Sequence, residues 1–196
     1  MRETIFESIY RRNSWNGTET RSGPGSSMAA TALIRRILPE LVAGVGAHSV
    51  LDASCGEGYW FPDLPGARYV GVDISPSAID AARRRHPDRS YRVMDIVRDE
   101  LPKADLVFCR DALQHLSLRE GWHAVQRFLD TGATWLVCST IEGGENIDVP
   151  AGSWYEPDMT QLPFSLGTPW MVIEDGTWDS GVRYPDKYLG VWACAS

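Results

Sequence analysis

Two glycines and three acids carry the first chemical signal in this chain. An apolar run, Val50-Leu51-Asp52-Ala53, ends beside an acid and leads into Ser54-Cys55-Gly56-Glu57-Gly58. Glycine lets a ligand approach the backbone closely, and the N–H groups of such a loop meet polar or anionic ligand atoms. Asp73 closes the next apolar run, seventeen residues after Gly56. In doubly wound sheets an acid at that place accepts hydrogen bonds from ribose hydroxyls. Asp95 closes a third run. Acids at three successive strand tips would share one edge of a parallel sheet, the edge where open α/β sheets bind ligands. Each part has a plainer reading alone: Gly-x-Gly also serves ordinary turns, and Asp73 would also cap the turn at Ser75. The three acids together point to a nucleoside.

A second group follows the fourth apolar run. Asp111 and His115 are four residues apart, so on one helical turn they share a face. One would serve as a proton acceptor and the other as its orienter. The plain alternatives are a turn cap for Asp111 and a packed core role for His115. Arg110 would anchor an anionic group or pair with a nearby acid.

These residues need a scaffold, and the pattern supplies one. Strands are expected at 49–53, 69–73, 91–94, 105–109 and 134–138, where short apolar runs are bounded by turn residues. Between them lie helical patterns. Leu33, Ile37 and Leu41, with Ile34, Leu38 and Val42, form an apolar stripe that Ser26 or Ser27 would cap, with Pro39 kinking the last turn. Ser75-Pro76 opens a helix that stops near His86-Pro87. Ser117 and Glu120 form a capping box for a helix whose core face would be Leu118, Trp122, Val125 and Leu129. Alternation of this kind implies a Rossmann-like, doubly wound α/β sheet with helices on both faces. Two last strands, near 170–174 and 189–195, joined by the turn-rich stretch 175–181, would add an antiparallel return. Residues 1–26 read as an irregular arm with Tyr10, Trp15 and Arg21. Residues 142–168 read as a long loop, and such loops inside compact domains are usually functional.

The 196 residues suit a single domain. Lys and Arg total 19 against 26 acids, a formal net charge of −7. That balance opposes tight binding to a nucleic-acid backbone. Cys55, Cys109, Cys138 and Cys194 fit no metal-binding spacing and sit in or beside apolar runs, as small buried hydrophobes do. No metal is expected. No signal peptide and no membrane-spanning run is seen, so a reduced, cytoplasmic protein is expected.

Strand-Asp-x-x-x-Gly-x-Gly, strand-Asp, strand-Asp resembles the class I S-adenosylmethionine-dependent methyltransferases over nearly the whole chain. A narrower subgroup of small methyltransferases is similar in Ser22-Gly23-Pro24-Gly25-Ser26-Ser27, in Cys109-Arg110-Asp111-Ala112-Leu113-Gln114-His115-Leu116-Ser117, in Asn146-Ile147-Asp148 with Gly152-Ser153-Trp154, and in Asp186-Lys187-Tyr188-Leu189-Gly190. The resemblance implies S-adenosylmethionine as cofactor. Asp52, Ser54, Gly56 and Gly58 would hold its methionine part, and Asp73 both ribose hydroxyls with Ile74 against the adenine. Asp95 would accept from the adenine amino group beside Ile96, and the Cys109 carbonyl would accept from the ammonium. Two positions depart from the pattern. Ser54 stands where many relatives have glycine. Tyr59-Trp60-Phe61-Pro62 follows the loop, so the first crossover helix must be short or irregular.

Methyl transfer needs an aligned nucleophile, exclusion of water and, for a hydroxyl, removal of its proton. Asp111 and His115 are then the catalytic candidates. Arg110, Tyr10, Trp15 and Arg21, with Asn146, Asp148, Trp154 and Tyr155 of the late loop, are the substrate-side candidates. Trp154 and Trp192 read equally as core or lid aromatics. The acceptor expected is a small polar molecule, most simply a sugar or metabolite hydroxyl. Two other classes compete. A nicotinamide-dependent oxidoreductase shares the loop and the ribose acid, but Phe61 stands where a third glycine would fall. A non-catalytic nucleoside-binding module would bind without turnover.

Overall fold

A computed structural model of the chain describes residues 1–175, 178–179, 182–183 and 185–194. In chain order the main elements are α1 (Arg2–Arg12), α2 (Ala32–Gly44), β1 (Ser49–Ala53), β2 (Arg68–Asp73), α3 (Pro76–Arg85), β3 (Ser90–Val93) and β4 (Leu106–Cys109). They continue with α4 (Leu118–Asp130), β5 (Trp135–Ile141), β6 (Met171–Glu174), β7 (Trp178–Asp179), β8 (Val182–Arg183) and β9 (Lys187–Ala193). Seven strands form one sheet in the order β3-β2-β1-β4-β5-β9-β6, and β7 pairs with β8 separately. The first five run parallel. Strand β9 lies antiparallel to both β5 and β6, as the sequence pattern anticipated for the C-terminal return. Of the joining stretch 175–181, residues 176, 177, 180 and 181 lie outside the described residues, as does position 195 of the last expected strand.

The two-residue period of the strands decides which face each residue covers. On β4, Leu106 and Phe108 pack with Ile34, Leu38 and Val42 of α2. Val107 and Cys109 point the other way, to Ala124, Val125 and Phe128 of α4. Strand β5 repeats the division, with Val137 on the α2 side and Leu136 and Cys138 on the α4 side. All four β4 residues are buried, which is why this strand reads as a continuous apolar run and not as an alternation. The doubly wound α/β arrangement is therefore as expected.

Several local expectations are corrected. The segment 1–26 is not irregular throughout, because residues 2–12 form α1, ended by Asn13 in the left-handed conformation (φ 51°, ψ 46°). Its inward face is Arg2, Phe6 and Tyr10, spaced by four but mixed in polarity, so no apolar stripe announced it. Helix α2 starts at Ala32, later than a cap at Ser26 or Ser27 would place it. Pro24–Ser26 forms a short 3-10 turn, and Ser27 Oγ accepts from Ala30 N–H. Pro39 lies inside α2, which continues to Gly44. The capping box of Ser117 and Glu120 is present, but α4 buries Gly121, Ala124, Val125 and Phe128. Trp122 and Leu129 are exposed. The helix is rotated because Gly121 lets it approach Phe164, whose ring would meet a Cβ there at 3.2 Å. No helix follows the glycine loop, where Tyr59–Pro62 had implied a short or irregular one. Phe61 instead buries itself against Phe108 and Tyr69.

Candidate active site

The glycine loop and the acids meet at the C-terminal ends of β1, β2 and β3. Ser54, Gly56 and Gly58 all have positive φ (73°, 56° and 60°), so the loop turns tightly at three places. Ser54 adopts the conformation that glycine takes most easily. The N–H groups of Ser54 and Cys55 both bond the Val72 carbonyl, at 2.8 and 2.9 Å. Gly56 N–H donates to Asp73 Oδ2 at 3.0 Å, and Ser75 N–H donates to Asp73 Oδ1 at 2.9 Å. Asp73 thus joins the loop to Ser75, the residue that caps α3 by accepting from Ala78 N–H. Burial raises its pKa, opposed by backbone N–H groups of Ser75, Gly56 and Ile74. Asp52 lies deeper and receives Tyr69 O–H at 2.7 Å. Burial pushes its carboxyl up to about 7, with the Tyr69 bond working against the shift. Asp95 accepts from Val97 N–H at 2.9 Å on one oxygen.

Helix α1 closes the top of this edge by reaching three elements. Arg2 bridges Asp95, at 2.6 Å, and Glu120 at the start of α4. Glu7 accepts from Ser75 Oγ–H at 2.6 Å and from Ser77 of α3. Burial raises the Glu7 pKa, but those serine bonds outweigh it and hold the carboxyl low. Tyr10 O–H donates to Glu57 of the glycine loop at 3.1 Å. Under the helix lies a cleft of about 810 Å³, open mouth included. Asp73, Ile74, Asp95, Ile96, Ser54 and Gly56 all line it.

The other end of the cleft is built from the segment after β4. Asp111 (φ 55°) precedes a 3-10 turn at Leu113–His115, so it does not share a helical face with His115. The expected pairing is therefore corrected. His115 Nδ1 lies 2.8 Å from the carbonyl oxygen of Ser153. A carbonyl only accepts, so Nδ1 carries the proton and Nε2 keeps its lone pair. Burial lowers the His115 pKa, which favours the neutral ring. Trp15 stacks on that ring, with centroids 4.9 Å apart.

Asp111 has other partners. Lys187 Nζ lies 2.6 Å from its Oδ1 and an Arg110 nitrogen 3.1 Å from its Oδ2. Ser139 Oγ and Gln114 Nε2 also donate to it. Burial would raise its pKa, yet Arg110 and Lys187 hold it far below the usual carboxylate range. Arg110 forms a two-pronged pair with Asp175 at 2.8 and 3.0 Å, and Lys187 lies 3.1 Å from the same acid. Bidentate pairing of this kind fixes direction as well as charge.

The remaining sequence candidates divide by place. Tyr10, Trp15, Arg110, Asp111 and His115 line the main cleft. Trp154, half exposed, lines an adjoining chamber with Trp15, Gln114, His115 and Lys187. Asp52 and Gly58 line a smaller recess behind the loop. Cys109 is buried at the end of β4, between Phe108 and Arg110, which both line that recess. Four candidates do not reach the cleft. Arg21 is exposed and bonds the Arg11 carbonyl on the outer side. Asn146 staples the late loop through Asp158 and Leu162, and Asp148 accepts from Leu118 N–H at the start of α4. Tyr155 is 2% exposed and packs in the core near Gly121. Trp192 is a core residue, as one of its readings had it. Residues missed at sequence level are Lys187, Asp175, Gln114 and the Ser153 carbonyl. Lys187, Gln114 and Ser153 stand in segments already singled out, in which no role was given to them; Asp175 carries no local signal. Among the described residues no cluster suited to a metal ion occurs, and no helix is long and apolar enough to cross a membrane.

With that geometry in hand, likeness to known proteins is informative. Residues 50–132 match a family model described as a methyltransferase domain. Malonyl-[acyl-carrier protein] O-methyltransferase from Serratia marcescens is 32% identical over 98 residues, which cover 47% of this chain and 38% of that protein. The chain thus spans well under half the length of that relative. Magnesium protoporphyrin IX methyltransferase from Synechocystis PCC 6803, solved with bound S-adenosylmethionine, superposes with a TM-score of 0.62 at 18% identity, covering 100% of this chain and 98% of that one. The N-methyltransferase NodS from Bradyrhizobium japonicum WM9 gives 0.60 at 15% identity, covering 86% and 95%. At these identities the solved structures speak for the fold.

Proposed function

We propose that this chain is a class I methyltransferase that binds S-adenosylmethionine and methylates a hydroxyl of a small polar acceptor, a reading supported by the methyltransferase-domain match over residues 50–132 and by the fold. The observation that supports this most is the Asp73 carboxylate, fastened to Gly56 N–H and facing the cleft that Asp95 also lines. The chain's own residues suit the cofactor. Asp73 keeps acceptor capacity for two ribose hydroxyls. Ile74 and Ile96 offer apolar faces to the adenine, and Asp95 an acceptor for its amino group. Asp52 offers an anion, and the Cys109 carbonyl an acceptor, to the ammonium. Ser54, Gly56 and Gly58 leave room for the chain between them.

A dinucleotide fits less well. Its pyrophosphate sits on the N-terminus of the helix that follows the glycine loop. Here residues 59–67 contain no helix, so that positive pole is missing. A sulfonium nucleoside carries no phosphate and does not need it.

When bound, the cofactor supplies an electrophilic methyl group. The protein then has to place a nucleophile, keep water away and accept one proton. His115 Nε2 is the acceptor of that proton, and the Ser153 carbonyl holds the tautomer that leaves its lone pair open. Trp15 and Trp154 offer flat apolar faces suited to a ring, and Asp111 supplies a polar surface to both the main cleft and the adjoining chamber. A base at this position suits a hydroxyl, whose proton must leave as the new bond to the methyl group forms.

Incubation with S-adenosylmethionine labelled with carbon-13 in its methyl group tests this reading. Neutral sugars and cyclitols, amines and carboxylic acids would be offered in parallel. A methyl ether on a polyhydroxylated acceptor is the expected product. Label confined to amines or carboxylates would overturn the hydroxyl assignment. Cofactor binding with no transfer to any acceptor would favour the binding-module reading.

A further inference from the structure

We infer that the arm serines Ser22 and Ser26 hold the carboxylate of the cofactor's amino-acid tail, an inference that rests on the cofactor reading above. The main cleft, the acceptor chamber and the recess behind the glycine loop meet at one place. Ser22 and Ser26 line all three spaces. The recess has Asp52 on one wall and these serines on another. An α-amino acid tail is a zwitterion, so a site for it needs an anion for the ammonium and donors for the carboxylate. Asp52 meets the first need. Ser22 Oγ has no partner among the described residues. Ser26 Oγ makes only a long contact, 3.5 Å, to the Ser22 carbonyl. Both hydroxyls can therefore turn to a carboxylate without breaking a strong bond.

The arm is fixed so that Ser22 is already in place. Ser22 N–H donates to Thr20 Oγ1 at 3.2 Å, and the preceding residue's N–H, at Arg21, donates to Glu57 Oε1 at 2.8 Å. Tyr10 holds the other oxygen of the same Glu57. Glu57 lies between Gly56 and Gly58, so the loop that cradles the ligand also anchors the arm. A Cβ at Gly56 would collide with Ser22 Oγ. Glycine thus gives Ser22 Oγ room at this close approach, and its positive φ of 56° favours glycine independently. A serine whose backbone is fixed before binding loses less freedom when its hydroxyl donates, which strengthens the contribution. Arg21, the cation beside it in sequence, faces outward and does not take this role.

The test compares two ligands by calorimetry. S-adenosylhomocysteine carries the amino-acid tail, whereas 5′-methylthioadenosine shares the nucleoside and lacks the tail. Ser22→Ala and Ser26→Ala should each weaken S-adenosylhomocysteine by about tenfold, the worth of one hydrogen bond to a charged group. Both variants should hold 5′-methylthioadenosine within about twofold of the unmodified protein, which also reports an intact fold. Equal weakening of both ligands, or no change in either, would overturn the assignment. If the unmodified protein binds neither nucleoside, the cofactor reading itself fails.

Discussion

Replacing His115 by Gln should lower turnover by about a hundredfold to ten-thousandfold, the range typical of a lost general base. Affinity for S-adenosylhomocysteine should stay within about twofold, because the nucleoside contacts lie at the other end of the cleft. The expectation rests on three contacts. The Ser153 carbonyl at Nδ1 dictates the tautomer, leaving Nε2 as the acceptor. Burial holds the ring's pKa down, so it is neutral at neutral pH. Trp15 covers one face and limits rotation. The acid limb of the rate profile should accordingly lie below 6.5, the ordinary value for histidine. Asp111 cannot substitute, since Arg110 and Lys187 keep it ionised and engaged. Turnover unchanged in His115→Gln would remove the histidine from the chemistry.

The second large effect concerns pH and the cofactor's ammonium. S-adenosylhomocysteine should bind about tenfold more weakly for each pH unit below 7, levelling off above it. Burial pushes the Asp52 carboxyl up to about 7. In the ligand-free protein it is therefore mostly protonated at pH 6, and the ammonium must displace that proton. The sign for folding is opposite. A carboxyl whose native pKa lies above its unfolded value contributes stability at acid pH. That contribution is lost as pH rises through about 7. The ligand-free melting temperature should fall over this range, and that of the complex should fall less. Asp52→Asn should flatten both dependences. Calorimetry in buffers of different ionisation enthalpy would count the released proton. Binding independent of pH in the unmodified protein would contradict this role for Asp52.

How much of this was legible in the sequence follows from the range of the forces involved. The sheet was readable because β4 and β5 are buried on both faces, which demands uninterrupted apolar residues. The tips of β1, β2 and β3 were readable because Asp52, Asp73 and Asp95 are polar residues set against such runs. Helix α1 was not, since its inner face is Arg2, Phe6 and Tyr10, and it gains its place through ion pairs with Asp95 and Glu120. The late loop divided unexpectedly. Tyr155, Met159 and Phe164 turn into the core beneath α4, and only Ser153 and Trp154 reach the site. Apolar residues in a stretch without periodicity carry no mark of which way they turn. The ionic group joins the neighbours Arg110 and Asp111 to Asp175 and Lys187, more than sixty residues further along, and no local spacing foretells that contact.

One measurement tests the central claim most directly: a crystal structure of the chain grown with S-adenosylhomocysteine. The account predicts ribose hydroxyls on Asp73, the adenine between Ile74 and Ile96 with its amino group at Asp95, and the sulfur turned toward His115. A nucleoside lodged elsewhere, with Asp73 still bonded only to Gly56 and Ser75, would contradict it.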